Sequence, residues 1–151
     1  MPKISLNQVK ELREATGAGI MEAKKALEEA NGDQTKAKQI LAKQGLEKAA
    51  KRQDKATGEG QVFAYVHHGG RVAAIVKVLC ETDFVARSGE FQVLGKELAM
   101  QVASMEPKDV QELLQQAYIR DGSKTIDELV KETGARVKEN IVVAEIARIS
   151  L

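Results

Sequence analysis

The chain has 151 residues, 43% hydrophobic and 30% charged, with a formal net charge of +1. That is enough apolar material for one compact unit or two small ones, and disorder is not the default. Near-zero charge gives no global electrostatic case for nucleic acid or an anionic membrane, and 3% aromatics without tryptophan leave little platform for stacking on single strands.

The first segment reads as three short helices. Ser5 and Gln8 have capping-box spacing, and Leu6, Val9 and Leu12 then fall on one face. Gly17-Ala18-Gly19 interrupts the pattern. A second helix starts near Ile20, with Ile20, Ala23, Leu27 and Ala30 on one stripe. Asn31-Gly32 stops it, and Asp33 caps a third helix that turns Ala37, Ile40 and Leu41 inward and ends near Gly45. A bundle this small lies near the lower size limit for independent folding. A polar, basic stretch from Glu47 to Gly60 marks a boundary. Residues 1–54 are expected to form a helical domain with its basic linker, and residues 55–151 an α+β core.

In the core, Val62 to Val66 reads as a strand, His67-His68-Gly69-Gly70 as a hairpin connection, and Val72 to Leu79 as a better-buried strand. Beyond Thr82-Asp83 the period changes, and Phe91, Leu94, Leu98, Val102 and Met105 mark one face of a long helix. Pro107 ends it or starts a second helix carrying Val110, Leu113, Leu114 and Ala117. Thr125 and Glu128 have capping-box spacing before the stripe Ile126, Leu129, Val130, Thr133, Val137. Ile141 to Ile149 reads as the closing strand. An antiparallel sheet of about three strands packed with helices is the expected core.

No catalytic constellation stands out. There is no GxxxxGK[ST] loop, and Thr57-Gly58-Glu59-Gly60 lacks the lysine that would reach a phosphate. Gly17-Ala18-Gly19 follows a helix where a dinucleotide fingerprint requires a strand. His67-His68 lacks further ligands at metal-site spacing, so a polar turn is the simpler reading. Cys80, the lone cysteine, cannot form an internal disulfide and closes an apolar strand, as a small buried hydrophobe does. Met1 to Lys10 lacks the apolar run of a secretory leader, and no run is long enough to span a bilayer. A reducing, cytoplasmic setting is expected.

The unusual segment is Cys80 to Arg87, where a buried strand gives way to a helix and a phenylalanine sits among charges. Phe84 is most simply a core or staple residue, and Asp83 a cap that complements the helix dipole. Strand-to-helix turns also present side chains well to partners, and that alternative stays open.

Four separate motifs, in order, resemble the elongation factor Ts family: Leu12-Arg13-Glu14-Ala15-Thr16-Gly17-Ala18-Gly19 followed by Lys24-Lys25-Ala26-Leu27; Lys48-Ala49-Ala50-Lys51; Thr82-Asp83-Phe84-Val85; and Lys138-Glu139-Asn140-Ile141-Val142-Val143. Together they span nearly the whole chain. The resemblance implies a ubiquitin-associated-like helical N-domain followed by an α+β core. It also implies guanine-nucleotide exchange on the GTPase elongation factor Tu, by binding and without covalent chemistry. In that reading Thr82, Asp83, Phe84 and Val85 reach the nucleotide region, Phe84 wedges between helices, and magnesium coordination is disturbed. Leu12, Arg13, Thr16, Gly17, Ala18 and Gly19 are further contact candidates. No cofactor, catalytic group, bound metal, nucleic acid or membrane is expected. The chain resembles the short form of the family, so a homodimer is expected in which two cores build one larger sheet. The compact stretch from Pro107 to Lys124 leaves little room for a separate dimerisation arm.

Two other readings compete. A nucleic-acid module would rest on Lys43, Lys48, Lys51, Arg52 and Lys55, a set more simply read as a solvated interdomain helix. A generic helical adaptor with an unrelated α+β domain would bind a partner without releasing any nucleotide.

Overall fold

A computed structural model describes residues 3–151. The chain divides into two compact units, Met1–Lys51 and Arg52–Leu151.

The first unit holds α1 (Leu6–Thr16), α2 (Ile20–Glu29) and α3 (Gln34–Lys51). The Ser5/Gln8 capping box forms, and the Asp33 carboxylate accepts from the Thr35 and Lys36 amides at 2.9 and 3.1 Å. The core is Val9, Leu12, Ala23, Ala26, Leu27, Ala30, Ala37 and Leu41. Two expected core positions face outward: Leu6 is 88% exposed and Ile20 58%. Each lies at the first position of its helix, where the side chain leans toward the N-terminus and finds no preceding turn to pack on. The third helix does not stop at Gly45 but runs on to Lys51. One glycine costs about 1 kcal/mol in a helix, and Leu46-Glu47-Lys48-Ala49-Ala50-Lys51 is made of strong helix formers. Lys48 also anchors this last stretch to Glu22 on α2 through an ion pair.

The second unit is α+β. Its sheet contains β1 (Glu59–Val66), β2 (Val72–Cys80) and β5 (Val142–Ser150) in the antiparallel order β1-β2-β5. A 3₁₀ turn at His68–Gly70 joins β1 to β2. The helix α5 (Gly89–Met105) follows the short α4 (Asp83–Ala86). Strand alternation gives the sheet two unlike faces. Phe63, Ala74, Val76, Val78 and Val143 point inward and share a core with Phe91, Leu94, Leu98 and Val102 of α5. The rings of Phe63 and Phe91 meet at 5.7 Å between centroids, tilted by 56°. Gly95 makes this approach possible: a Cβ there would lie 2.1 Å from Cδ2 of Phe63. Met105, expected on the inner stripe, is exposed at the end of α5. On the opposite face of the sheet, Val62, Val66, Ile75, Val142 and Ile149 are exposed.

After Pro107 the chain forms α6 (Val110–Gln115) and then a hairpin, β3 (Ala117–Tyr118) with β4 (Asp121–Thr125). Ala117 was expected on the helix and instead begins this hairpin. The cause is Gln101, fully buried on α5. Its amide nitrogen donates to Ala117 O at 3.0 Å, and its oxygen accepts from Ile119 N at 3.1 Å. A buried amide must be satisfied, and extended backbone at 117–119 satisfies it. Burial and the neighbouring Glu97 carboxylate push the Tyr118 phenol up to about 12. The capping box of Thr125 and Glu128 opens α7 (Ile126–Val137), which ends at Lys138 in the left-handed region, φ 59°. No helix among the described residues is long and apolar enough to cross a membrane.

Candidate functional site

The segment singled out by sequence is the junction from β2 to α5. Cys80 ends β2 fully buried, its thiol donating to Thr82 O at 3.2 Å, and burial pushes the thiol pKa up. Thr82, not Asp83, is the N-cap of α4: its Oγ1 accepts from Val85 N at 3.3 Å. Asp83 occupies the first helical position, where its charge complements the dipole. The single turn of α4 buries Ala86 and packs half-buried Val85 against the core. With about 100° per residue, that directs Asp83 and Phe84 away from the core.

Phe84 is 78% exposed. The core or staple reading fails here, because Val85 and Ala86 already occupy the inward side of the turn. Its visible company is Arg87, whose guanidinium carbon lies 5.8 Å from the ring centroid. Arg87 also donates to the Asp83 carboxylate at 2.9 Å. Asp83, Phe84 and Arg87 thus form an exposed acid–aromatic–base set on one turn.

The turn is fixed at both ends. Ser88 caps α5, accepting from Phe91 N at 3.3 Å and donating to Val85 O at 2.7 Å. Gln92 donates to Ala86 O at 2.9 Å. Upstream, the Glu139 carboxylate accepts from Glu81 N at 3.0 Å, Thr82 N at 2.9 Å and Thr82 Oγ1 at 2.7 Å. The Glu81 carboxylate in turn accepts from Asn140 N at 2.7 Å and from Arg52 Nη2 and Nε at 2.8 and 3.2 Å. The Arg52 hydrogen bond holds the Glu81 carboxyl below the usual range, aided by the Asn140 amide. Asn140 also donates through its side chain to Gln53 O and Lys55 O, each at 3.1 Å. Sequence reading assigned no role to Glu81 or Glu139, and it placed Arg52 on a solvated interdomain helix, whereas α3 ends at Lys51 and Arg52 is engaged by Glu81. The signal is non-local, since 57 or 58 positions separate Glu139 from the groups it holds.

The other candidates lie on the first unit. Leu12 is fully buried and presents no side-chain surface. Arg13 is exposed. Thr16 Oγ1 donates to Leu12 O at 2.6 Å and accepts from Ala18 N at 3.3 Å, which tightens the turn. Gly17 ends α1 and Gly19 opens α2, its amide donating to Glu22 at 3.1 Å. Ile20 and Met21, immediately beyond, are exposed. The histidines of the β1–β2 connection engage the hairpin itself, with His67 Nδ1 3.0 Å from Tyr65 Oη. No group of three or more His, Cys, Asp or Glu among the described residues could hold a metal ion.

Comparison with known proteins points one way. Residues 81–151 match the family model described as Elongation factor TS. Elongation factor Ts of Thermoanaerobacter sp. (strain X514) is 41% identical over 190 positions, covering 96% of this chain and 93% of that protein. Elongation factor Ts of Leptospira biflexa (strain Patoc 1 / Ames) is 40% identical, with 96% of each chain covered. That of Thermosipho melanesiensis is 50% identical over 132 positions, covering 87% of this chain and 67% of that protein. The 190 aligned positions exceed the 151 residues here, so the first two relatives carry residues with no counterpart in this chain. Likeness of this extent, at this identity and through both units, makes the chain a member of the elongation factor Ts family.

Proposed function

We propose that this chain is a guanine-nucleotide exchange factor for elongation factor Tu, serving translation in the cytoplasm. The observation that carries the mechanism is Phe84, a large aromatic ring 78% exposed on a turn anchored from both sides. A ring held out in this way enters a partner at little ordering cost. Asp83 beside it brings a carboxylate toward a site where a magnesium ion and phosphates are held by charge-assisted contacts. Displacing a few such contacts speeds GDP release, and each 1.4 kcal/mol of weakening is worth about tenfold. The coupling is reciprocal, so incoming GTP ejects the factor. No side chain has to transfer a proton or form a bond. Arg13, Thr16 to Gly19, and the exposed Ile20 and Met21 supply a second contact with the GTPase.

We further propose that the chain acts as a homodimer. The exposed side chains of Val62, Val66, Ile75, Val142 and Ile149 lie on one face of the sheet. A second copy of that face is an apolar partner by symmetry. Lys77 and Glu145, paired in register, give the same face one charge of each sign.

The deciding experiment is release of a labelled GDP analogue from elongation factor Tu, with and without this protein. Release should accelerate with factor concentration and saturate. An unchanged rate across micromolar factor would refute the reading.

A further inference from the structure

We propose that Glu139 is a positioning residue for the Phe84 contact, acting through a reciprocal clasp between two distant segments. The inference rests on the exchange reading above. Each of two glutamates binds the other's backbone. Glu139 collects the Glu81 amide, the Thr82 amide and the Thr82 hydroxyl, all within 3.0 Å. Glu81 collects the Asn140 amide at 2.7 Å and closes the clasp onto Arg52. Three donors converging on one half-buried carboxylate fix its direction, and they fix the direction of the donors equally.

The geometry around Glu139 serves this placement. Lys138 adopts φ 59°, and Glu139 N donates back to Gly134 O at 3.2 Å. The chain reverses so closely over α7 that a Cβ on Gly134 would lie 3.0 Å from Glu139 O. Thr82 is the pivot. One face of its hydroxyl donates to Glu139, and the same oxygen caps α4 through Val85 N. The carboxylate therefore sets the axis of the single turn on which Phe84 is the second residue. Ser88 and Gln92 hold the end of the turn, Glu139 holds its start, and a small misplacement of a contact group costs a large factor in rate.

The test uses the full chain. Glu139→Gln keeps the size of the side chain and removes its charge and one acceptor. Three measurements are made on parent, Glu139→Gln and Phe84→Ala: thermal melts, amide hydrogen exchange at residues 81 and 82, and GDP-analogue release from elongation factor Tu over a range of factor concentrations. Glu139→Gln should stay folded and speed exchange of both amides. It should lower the maximal release rate by about tenfold or more while the half-saturating concentration moves much less. A merely structural role would lower the melt and leave the maximal rate intact under folding conditions. Loosened amides with parental release would overturn the proposal, and so would amides that exchange as in the parent. Should Glu139→Gln not fold, Glu139→Asp, which keeps the charge and shortens the reach, is judged by the same criteria. If the parent itself fails to accelerate release, it is the exchange reading that falls. A parent that works beside a Glu139→Gln variant that works equally well sinks only the positioning role.

Discussion

Truncating Phe84 to alanine should hardly change the stability of the free protein. Phe84 is 78% exposed, so only about a fifth of its surface is covered. A phenylalanine buries about 200 Å² when fully enclosed, so the covered part is about 45 Å², worth about 1 kcal/mol at ~25 cal/mol per Å². The Arg87 contact adds about 0.5 kcal/mol at an exposed site, and alanine returns about as much through helix propensity. The net cost is about 1 kcal/mol. Phe91 is the internal control: it is fully buried against Phe63, and its truncation should cost about 3–5 kcal/mol. Urea melts of parent, Phe84→Ala and Phe91→Ala at one protein concentration separate the two cases. With a slope of ~1–3 kcal/mol per molar, the Phe84 midpoint should move by about 1 M or less. GDP-release kinetics on the same samples then show where the ring matters, since aromatic anchors at interfaces carry about 2 kcal/mol or more. A loss of stability equal to that of Phe91→Ala would refute the placement of the ring. Parental release by a folded Phe84→Ala would refute its role as a wedge.

Gly95→Ala should destabilise the second unit by about 1–3 kcal/mol despite alanine's better helix propensity, because the new methyl overlaps the Phe63 ring; a higher melting temperature would contradict that close approach. The Glu81 carboxyl is held low chiefly by Arg52, so its contribution is present above the ordinary glutamate range, about 4.3, and is lost as pH falls through its lowered folded value. Glu81→Gln should therefore lower the melting temperature at neutral pH, with the gap closing in acid; a gap that widens on acidification would reverse the assignment. Ile75→Asp places a charge in the middle of the exposed apolar sheet face and should convert a dimer into a species of 16.4 kDa by sedimentation equilibrium; a variant that still sediments as a dimer would exclude that face as the interface.

Much of the fold is legible because it is periodic. The apolar, β-branched run of β2 and the stripe of α5 are strong signals, and the capping boxes at Ser5 and Thr125 both form as their spacing indicates. Beyond the local misses at helix ends, such as the run of α3 past Gly45, what escaped depends on partners far along the chain. Nothing near Ala117 says that Gln101 will claim its carbonyl. Nothing near Gly95 says that Phe63 will sit on it. At the site, local sequence located the turn but favoured a covered ring, whereas the family resemblance turned the ring toward a partner, and the ring is exposed. An aromatic among charges is usually covered, and only the packing of Val85 and Ala86 reveals that the inward side is already taken. The motif at Lys138-Glu139-Asn140 was visible as a pattern without a purpose, because its hydrogen bonds close a loop of 57 to 59 positions.

The order of the sheet also governs when the anchored turn that carries Phe84 can form. β1 and β2 are neighbours in sequence and can pair as soon as both have been made. β5 docks on the other side of β2, about seventy positions later. Glu139 lies just ahead of β5, so the clasp on Thr82 closes at the same late stage. During synthesis β2 emerges with one edge bare and the start of α4 not yet held by Glu139, while the first three helices already have the partners of their own core within reach. All the residues of the first core, Val9 to Leu41, are therefore made well before Glu139 is available to hold Thr82. On the exchange reading proposed above, the turn that carries Phe84 is fully anchored only once β5 has docked beside β2 and Glu139 has reached Thr82.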